Sequence, residues 1–281
     1  MTAFVNNLKT VVLLGLMTGL LVAVGGMMGK QYIVPFLIMA GLMNVGAWFF
    51  SDKIAIAAMR GKQLTPETGG DLYRMVDELR QRAGLPMPKV YLCPHAAPNA
   101  FATGRSPRKA AVAFTQGCVD MMNRDELAGI AAHELTHVKN RDTLTSCVAA
   151  TIAGVLAAIA QWGFLLGLGR DRNSNPLVVL LVTIVAAVGA AMVKAAISRS
   201  REFVADAGAA QIVGSPDGLI SALRKLDATS RRIPLVQPNP AQNNLFIVEP
   251  LANAASGGGL VGLFATHPPT ERRIAALMQL R

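Results

Sequence analysis

Four long stretches without a charged residue constrain the fold of this chain more than any other feature. They cover residues 10–29, 31–51, 143–169 and 173–193. An α-helix rises about 1.5 Å per residue, so roughly 20 residues cross the hydrocarbon core of a bilayer. Buried helices of soluble proteins seldom run so long without a charge. The sequence therefore predicts four hydrophobic helices, of which the first two are membrane spans.

The third and fourth stretches leave two interpretations open. The third contains Gln161, and the fourth ends next to Lys194. We expect them either to span the bilayer or to form a helical hairpin packed against the bilayer or a protein groove. The first stretch is too long for a signal peptide and lacks a small-residue cleavage site, so we expect it to remain as an anchor.

The net charge of +10 is spread along the chain rather than gathered in one basic block. Lys and Arg are in small excess in both polar segments, 52–142 and 198–281. An even number of spans places both segments on one side of the membrane, and the positive-inside rule makes that side cytoplasmic. No basic run is interleaved with aromatic residues, so nucleic acid is not expected as a partner.

The two polar segments carry signals for helices and a small sheet. Thr65 followed by Pro66 is typical of a helix start, Gly84 of a helix end, and Asn123 of a second helix start. Short apolar stretches between these helices predict strands at 89–93, 100–103 and 110–115. The second segment predicts helices over 198–213, from there to about 228, and over 270–280. We expect 1–51 to be a transmembrane hairpin, 143–197 a second hydrophobic hairpin, and 52–142 and 198–281 the two parts of one polar domain.

The most informative motif is the pentapeptide His133-Glu134-Leu135-Thr136-His137. Residues four apart lie on one face of a helix, so both imidazoles can point at one ion. Glu134 lies about 100° further round the helix, where it can reach an attacking water without being a ligand. Unpaired histidines and a glutamate would be costly in an otherwise apolar helix, which favours a metal site over a solvated helix face.

A catalytic zinc site needs a third protein ligand and one open position. The candidates are His95, His267 or a carboxylate. Glu202 and Asp206 follow the fourth hydrophobic stretch and share one helix face. If the third and fourth stretches form a hairpin, Glu202 returns to the membrane surface that carries the two motif histidines.

The chain resembles the HtpX-type membrane zinc metalloproteases, which are related to the CAAX prenyl proteases. The resemblance covers the whole length: two N-terminal spans, HELTH at 133–137, a pair of hydrophobic segments, REFVAD at 201–206 and THPP at 266–269. Asn140 completes the HExxHxxN pattern of that family. The implied fold is an α-helical membrane protein with an α+β zinc metalloprotease domain. It has four transmembrane or hydrophobic helices and a small sheet next to the HExxH helix.

The resemblance implies one Zn²⁺ per chain, held by His133, His137 and Glu202, with Glu134 as the general base. Asp206 is a candidate to accept a hydrogen bond from a ligand imidazole and so fix its tautomer.

Two further residues have open roles. His267 is a candidate for stabilising the tetrahedral intermediate, and a structural role at a helix start is the alternative. Arg272 is a candidate to pair with Asp206 or Glu202.

One short segment resembles the strand that precedes the active-site helix in this family. It consists of Asn99, Ala100, Phe101, Ala102 and Thr103. As an edge strand it could bind substrate by β-augmentation, through main-chain hydrogen bonds that do not depend on side chains. An internal strand or a turn is the alternative.

The resemblance implies an integral-membrane zinc endopeptidase at the cytoplasmic face of a bacterial inner membrane. Its implied substrates are damaged or misfolded membrane proteins and unfolded polypeptides, in a stress-related quality-control role. A processing protease for one defined substrate, of the CAAX-prenyl type, is the first alternative. A non-catalytic scaffold or small transporter is the second, although the hydrophobic stretches hold almost no ionisable residues of the kind that transport uses. The sequence predicts no oligomeric state.

Overall fold

The computed structural model describes residues 2–146, 148–149, 199–230 and 268–281. Nearly all of the third and the whole of the fourth predicted hydrophobic helix lie outside these residues, as does His267. The described part is mainly helical and contains one small mixed sheet.

Two long helices form an N-terminal hairpin. Helix α1 spans Thr2–Met28, a 3-10 turn spans Lys30–Tyr32, and helix α2 spans Ile33–Ala58. Outward-facing apolar side chains such as Phe4 and Leu42 are 73% and 69% exposed, which is typical of a surface that contacts lipid. Among the described residues, two segments are long and apolar enough to cross a membrane, in agreement with the first two predicted spans: Phe4–Gly26 and Lys30–Phe50.

The sheet has four strands of mixed direction. They are β1 Lys62–Leu64, β2 Lys89–Cys93, β3 Ala100–Gly104 and β4 Ala110–Thr115, in the order β1-β2-β4-β3. Strands β2 and β4 are parallel, while β1 and β3 pair antiparallel with their neighbours. All three predicted strands are present. The sequence gives no signal for β1, because three residues are too few to show an alternating apolar pattern.

Helix α3 spans Gly70–Ala83 and begins later than predicted. The predicted N-cap at Thr65 is wrong because the side chains of Thr65 and Thr68 close a turn instead. The Thr68 amide donates to Thr65 Oγ1 at 3.3 Å, and the Thr65 amide donates to Thr68 Oγ1 at 2.9 Å. The predicted helix end is correct, since Gly84 has the left-handed conformation (φ 70°) that ends many helices.

One of the remaining helices is central to the polar domain. Helix α4 spans Gln116–Met121, the central helix α5 spans Arg124–Asn140, and the later helices are α6 Arg199–Val213, α7 Asp217–Ser230 and α8 Thr270–Met278. Helices α3, α6 and α7 and strand β3 all pack against α5. The main hydrophobic core lies between them and includes the fully buried Ile130, Leu135 and Leu223.

The start of α5 is held by a capping box and by α7. Asn123 and Glu126 exchange backbone-to-side-chain hydrogen bonds, both at 2.9 Å. The same Glu126 carboxylate accepts from Ser221 at 2.6 Å and from Lys225 at 2.7 Å. The predicted helix start at Asn123 is therefore confirmed, and one buried carboxylate joins it to α7.

Glycines allow α6 and α7 to approach α5 closely. A Cβ on Gly208 of α6 would lie 2.5 Å from the side chain of Thr136, and a Cβ on Gly129 would lie 2.7 Å from the backbone nitrogen of Leu219. Both separations are too short for real carbon contacts. The helix spacing around α5 therefore depends on the absence of a side chain at these positions.

We expect Gly129→Ala to lower the stability of the protein by about 1–3 kcal/mol, because the new methyl group meets backbone atoms that cannot rotate away. The gain in helix propensity, about 1 kcal/mol, offsets only part of this cost. Thermal unfolding in detergent measures the effect. Gly41→Ala is the control, since no described atom beyond its neighbours in the chain and the backbone of its own helix lies within 4 Å of its Cβ position. An unchanged midpoint for Gly129→Ala would show that α5 and α7 are not held this tightly.

Candidate metal centre

Two helices bring three ligand-type side chains together. His133 and His137 lie one turn apart on α5, and their Nε2 atoms are 3.1 Å apart. Glu202, in the first turn of α6, places one carboxylate oxygen 3.6 Å from His133 Nε2 and the other 3.6 Å from His137 Nε2. His133 and Glu202 are buried, and His137 is mostly buried. These residues form a group that could hold a metal ion.

The spacing of these three side chains fits one tetrahedral zinc ion. Bonds of about 2.1 Å at tetrahedral angles place ligand atoms about 3.4 Å apart. The three observed separations, 3.1, 3.6 and 3.6 Å, lie on either side of that value. Two imidazoles and one carboxylate are also the donor set of known catalytic zinc sites.

A buried carboxylate lies behind His133. Asp206 Oδ1 is 3.0 Å from His133 Nδ1, in the position predicted for a residue that orients the ring. Arg273 of α8 donates two hydrogen bonds to the same carboxylate, at 2.7 and 2.8 Å, and lies 3.5 Å from Glu202. Burial alone would raise the pKa of Asp206, but Arg273 and His133 lower it to about 2. Asp206 is therefore held as a carboxylate.

The predicted pairing of Arg272 with Asp206 or Glu202 is wrong. Arg272 is exposed, whereas the next residue, Arg273, is only 1% exposed and makes both contacts. Two adjacent arginines point about 100° apart on a helix, so one of them faces the core and the other faces solvent. The apolar positions Ile274 and Leu277 show which face of α8 packs inward, and that signal in the sequence could have identified Arg273.

A second carboxylate lies behind His137, and the sequence reasoning missed it. Asp142 Oδ2 is 3.1 Å from His137 Nδ1, and Asp142 is 3% exposed. Asp142 lies two residues beyond the end of α5, so helix periodicity does not place it. Each motif histidine thus has one ring nitrogen directed at Glu202 and the other at an aspartate.

Glu134 is buried next to the group of three. Burial raises the pKa of its carboxyl, and the charges of His133 and His137 act in the opposite direction. The backbone amide of Ala102, in strand β3, hydrogen-bonds to the Glu134 carboxylate. Strand β3 pairs only with β4 among the described strands, so it lies at an edge of the sheet next to Glu134.

The other candidates lie elsewhere. His95 Nε2 contacts the carbonyl of Met59 at 3.1 Å, and His95 is not part of the metal-type group found among the described residues. Asn140 ends α5, and its carbonyl accepts a hydrogen bond from Asn6. Asn99 precedes β3 and is tied to β4 by hydrogen bonds with Thr115.

We expect Arg273→Ala to destabilise the protein by about 3–5 kcal/mol, because it leaves the buried Asp206 carboxylate without its cation. Arg272→Ala is the matched control and is expected to change stability by no more than about 0.5 kcal/mol. Thermal unfolding of both variants in detergent tests the assignment. Equal effects of the two substitutions would contradict it.

Comparison with known proteins agrees with this geometry. The family model described as Peptidase family M48 matches residues 66–281. A Protease HtpX homolog of Syntrophotalea carbinolica is 50% identical over 97% of this chain and 98% of its own length. Homologs of the same name from Desulfatibacillum aliphaticivorans and Trichormus variabilis are 49% and 44% identical, over 98% of this chain and 90% and 96% of theirs.

Among solved structures, S. mikatae Ste24p is similar with a TM-score of 0.49 and 19% identity, over 88% of this chain and 57% of that one. The assignment to a family does not need this weak likeness. It follows from the family model, which covers most of the chain, and from relatives matched over nearly their whole length. The chain therefore belongs to peptidase family M48 and is a metalloprotease of the HtpX type.

Proposed function

We propose that this protein is an integral-membrane zinc endopeptidase that cleaves damaged or misfolded membrane proteins at the cytoplasmic surface of a bacterial inner membrane. The observation that carries the proposal is the convergence of His133, His137 and Glu202 at the spacing of a tetrahedral site, with Glu134 buried beside them. Membership in a metalloprotease family favours an enzyme over the scaffold or transporter considered above.

In this proposal His133, His137 and Glu202 hold one zinc ion per chain. When bound, zinc supplies Lewis acidity, which polarises the scissile carbonyl and lowers the pKa of water. His137 Nδ1 hydrogen-bonds to Asp142, and Asp206 Oδ1 lies 3.0 Å from His133 Nδ1; with a proton on each Nδ1, both Nε2 lone pairs would be available to the ion. The two aspartates thus select the tautomer that the site needs.

Glu134 is the proposed general base. It takes a proton from the attacking water and delivers that proton to the leaving amine as the peptide bond breaks. Its carboxylate is oriented by the amide of Ala102, so the base is fixed relative to strand β3.

Strand β3 is the proposed binding site for an extended substrate. Its position at the sheet edge and its amide contact to Glu134 support this role. Pairing through the main chain would align a substrate next to the base without selecting side chains. This mode of binding suits misfolded proteins, which share an accessible backbone and little sequence.

The proposed catalytic domain joins residues 52–142 and 198–281. The packing of α6 and α7 against α5 supports this division. Near its N-terminus, α1 contacts the chain next to the metal centre through Asn6, and Arg105 lies 4.6 Å from the ring of Phe49 near the end of α2. These contacts support a hairpin in which the start of α1 and the end of α2 both lie on the side of the membrane that carries the catalytic domain.

We expect Glu134→Gln to retain zinc and to lower casein cleavage by at least about 10²-fold, because the amide cannot accept the proton. Metal analysis and a protease assay on the purified protein measure both properties. Undiminished proteolysis would contradict the general-base role.

We expect Glu202→Ala to reduce bound zinc well below one ion per chain, together with activity, because the site loses its only ligand from α6. Glu271→Ala, which removes an exposed carboxylate of α8, is the control and should keep both. Normal zinc content in Glu202→Ala would show that another group is the third ligand.

The orientation is tested with single cysteines in a background that lacks Cys93, Cys118 and Cys147. A membrane-impermeant maleimide added to intact cells should label Gln31→Cys, in the connection between α1 and α2. It should label Glu67→Cys, in the catalytic domain, only after lysis. The reverse pattern would overturn the topology.

A further inference from the structure

The backbone that leads to Asp142, the carboxylate next to His137, has an uncommon conformation. Helix α5 ends at Asn140, and Arg141 then adopts a left-handed conformation (φ 59°) that is uncommon outside glycine. The turn directs the next side chain, Asp142, back towards the helix, where Oδ2 lies 3.1 Å from His137 Nδ1. The local backbone therefore serves to place this one carboxylate.

The first membrane helix holds that carboxylate from the other side. Asn6 of α1 is 2% exposed and donates from Nδ2 to Asp142 Oδ1 at 2.6 Å. The same amide donates to the carbonyl of Asn140 at 3.0 Å, so both of its hydrogens are used on the end of α5. A side chain more than 130 residues away in sequence thus completes the surroundings of Asp142.

Further buried contacts fix Asn6 itself. The hydroxyls of Thr10 and Thr145 both donate to the Asn6 carbonyl, at 3.0 and 3.1 Å, and lie 2.9 Å from each other. Both threonines are fully buried. This part of α1 is therefore bound to the chain that follows α5 by side-chain hydrogen bonds as well as by apolar packing.

The charge of Asp142 requires such partners. A buried carboxylate is costly unless its oxygens accept hydrogen bonds or face a cation. Oδ2 faces His137, while Oδ1 accepts from Asn6 and lies 3.5 Å from Arg201 Nε. Without Asn6, Oδ1 would lose its shortest contact, and the carboxylate could shift towards Arg201 and away from the imidazole.

We propose that α1 helps to position a metal ligand, through the chain of contacts Asn6–Asp142–His137. Asp142 is a positioning residue for His137, and Asn6 is a positioning residue for Asp142. The inference rests on the proposed function, in which His137 binds zinc through Nε2. It goes further in assigning the N-terminal membrane helix a role in metal affinity, beyond anchoring the protein.

The test is the zinc dissociation constant of the full-length protein in detergent, measured by competition with a chromophoric chelator. Asp142→Asn should weaken zinc binding by about 10- to 100-fold, the usual effect of losing a partner of a ligand histidine. Asn6→Ala should weaken it in the same direction by a smaller factor. The Co²⁺ absorption spectrum of each variant should change with it, because it reports the geometry at the metal.

Asn44→Ala is the matched control. Asn44 of α2 donates to Thr18 and to the carbonyl of Leu14 on α1, so the substitution removes the same kind of helix contact from the hairpin without touching Asp142. It should alter thermal stability and leave zinc affinity at the wild-type value. A general loosening of the membrane hairpin would instead weaken zinc binding equally in Asn44→Ala and Asn6→Ala, and would overturn the proposal.

The double variant Asn6→Ala/Asp142→Asn separates positioning from a structural effect. If Asn6 acts through Asp142, adding Asn6→Ala to Asp142→Asn should cause little further loss of zinc affinity. Additive losses, or a wild-type affinity for Asn6→Ala, would overturn this inference alone. Wild-type protein that binds no zinc, or His137→Ala that binds it as tightly as wild type, would overturn the proposed function and this inference with it.

Discussion

The rest of the structure depends on the pairing of buried charges around two histidines of one helix. His133 and His137 each have an aspartate at Nδ1 and share Glu202 at Nε2. Carboxylates buried this deeply are stable only when cations or hydrogen-bond donors surround them. The donors come from distant parts of the chain. The fold of the described region therefore has to bring these parts to α5.

Each buried carboxylate recruits a different element. Asp206 is paired with Arg273, which fixes the C-terminal helix α8 to α6. Asp142 accepts from Asn6, which fixes the first membrane helix to the end of α5. Glu126, at the other end of α5, accepts from Ser221 and Lys225 of α7. The close packing of α7 and α6 against α5, at Gly129 and Gly208, lets side chains of these helices come within contact distance of each other.

The candidate site divides into a part that follows from sequence and a part that does not. The motif spacing predicts that His133 and His137 share a helix face, and the ExxxD spacing predicts the same for Glu202 and Asp206; the structure places all four together. The apolar positions of α8 indicate that Arg273 rather than Arg272 faces the core, but only the tertiary packing of α8 against α6 shows that Asp206 is its partner. The sequence did not indicate the position of Asp142 either, because this residue lies beyond the end of α5, where the helical period no longer shows on which face a side chain lies.

The sequence by itself determined the elements of this protein: two apolar N-terminal helices, three of the four strands, the capped start of α5 and the helical pattern of the metal-type residues. These features depend on interactions between residues close in sequence, which composition and spacing record. Only the tertiary structure decided the partners of the buried charges, Arg273 for Asp206 and Asn6 for Asp142. Such pairs join residues far apart in the chain, and their energy depends on burial and distance, which no local pattern contains.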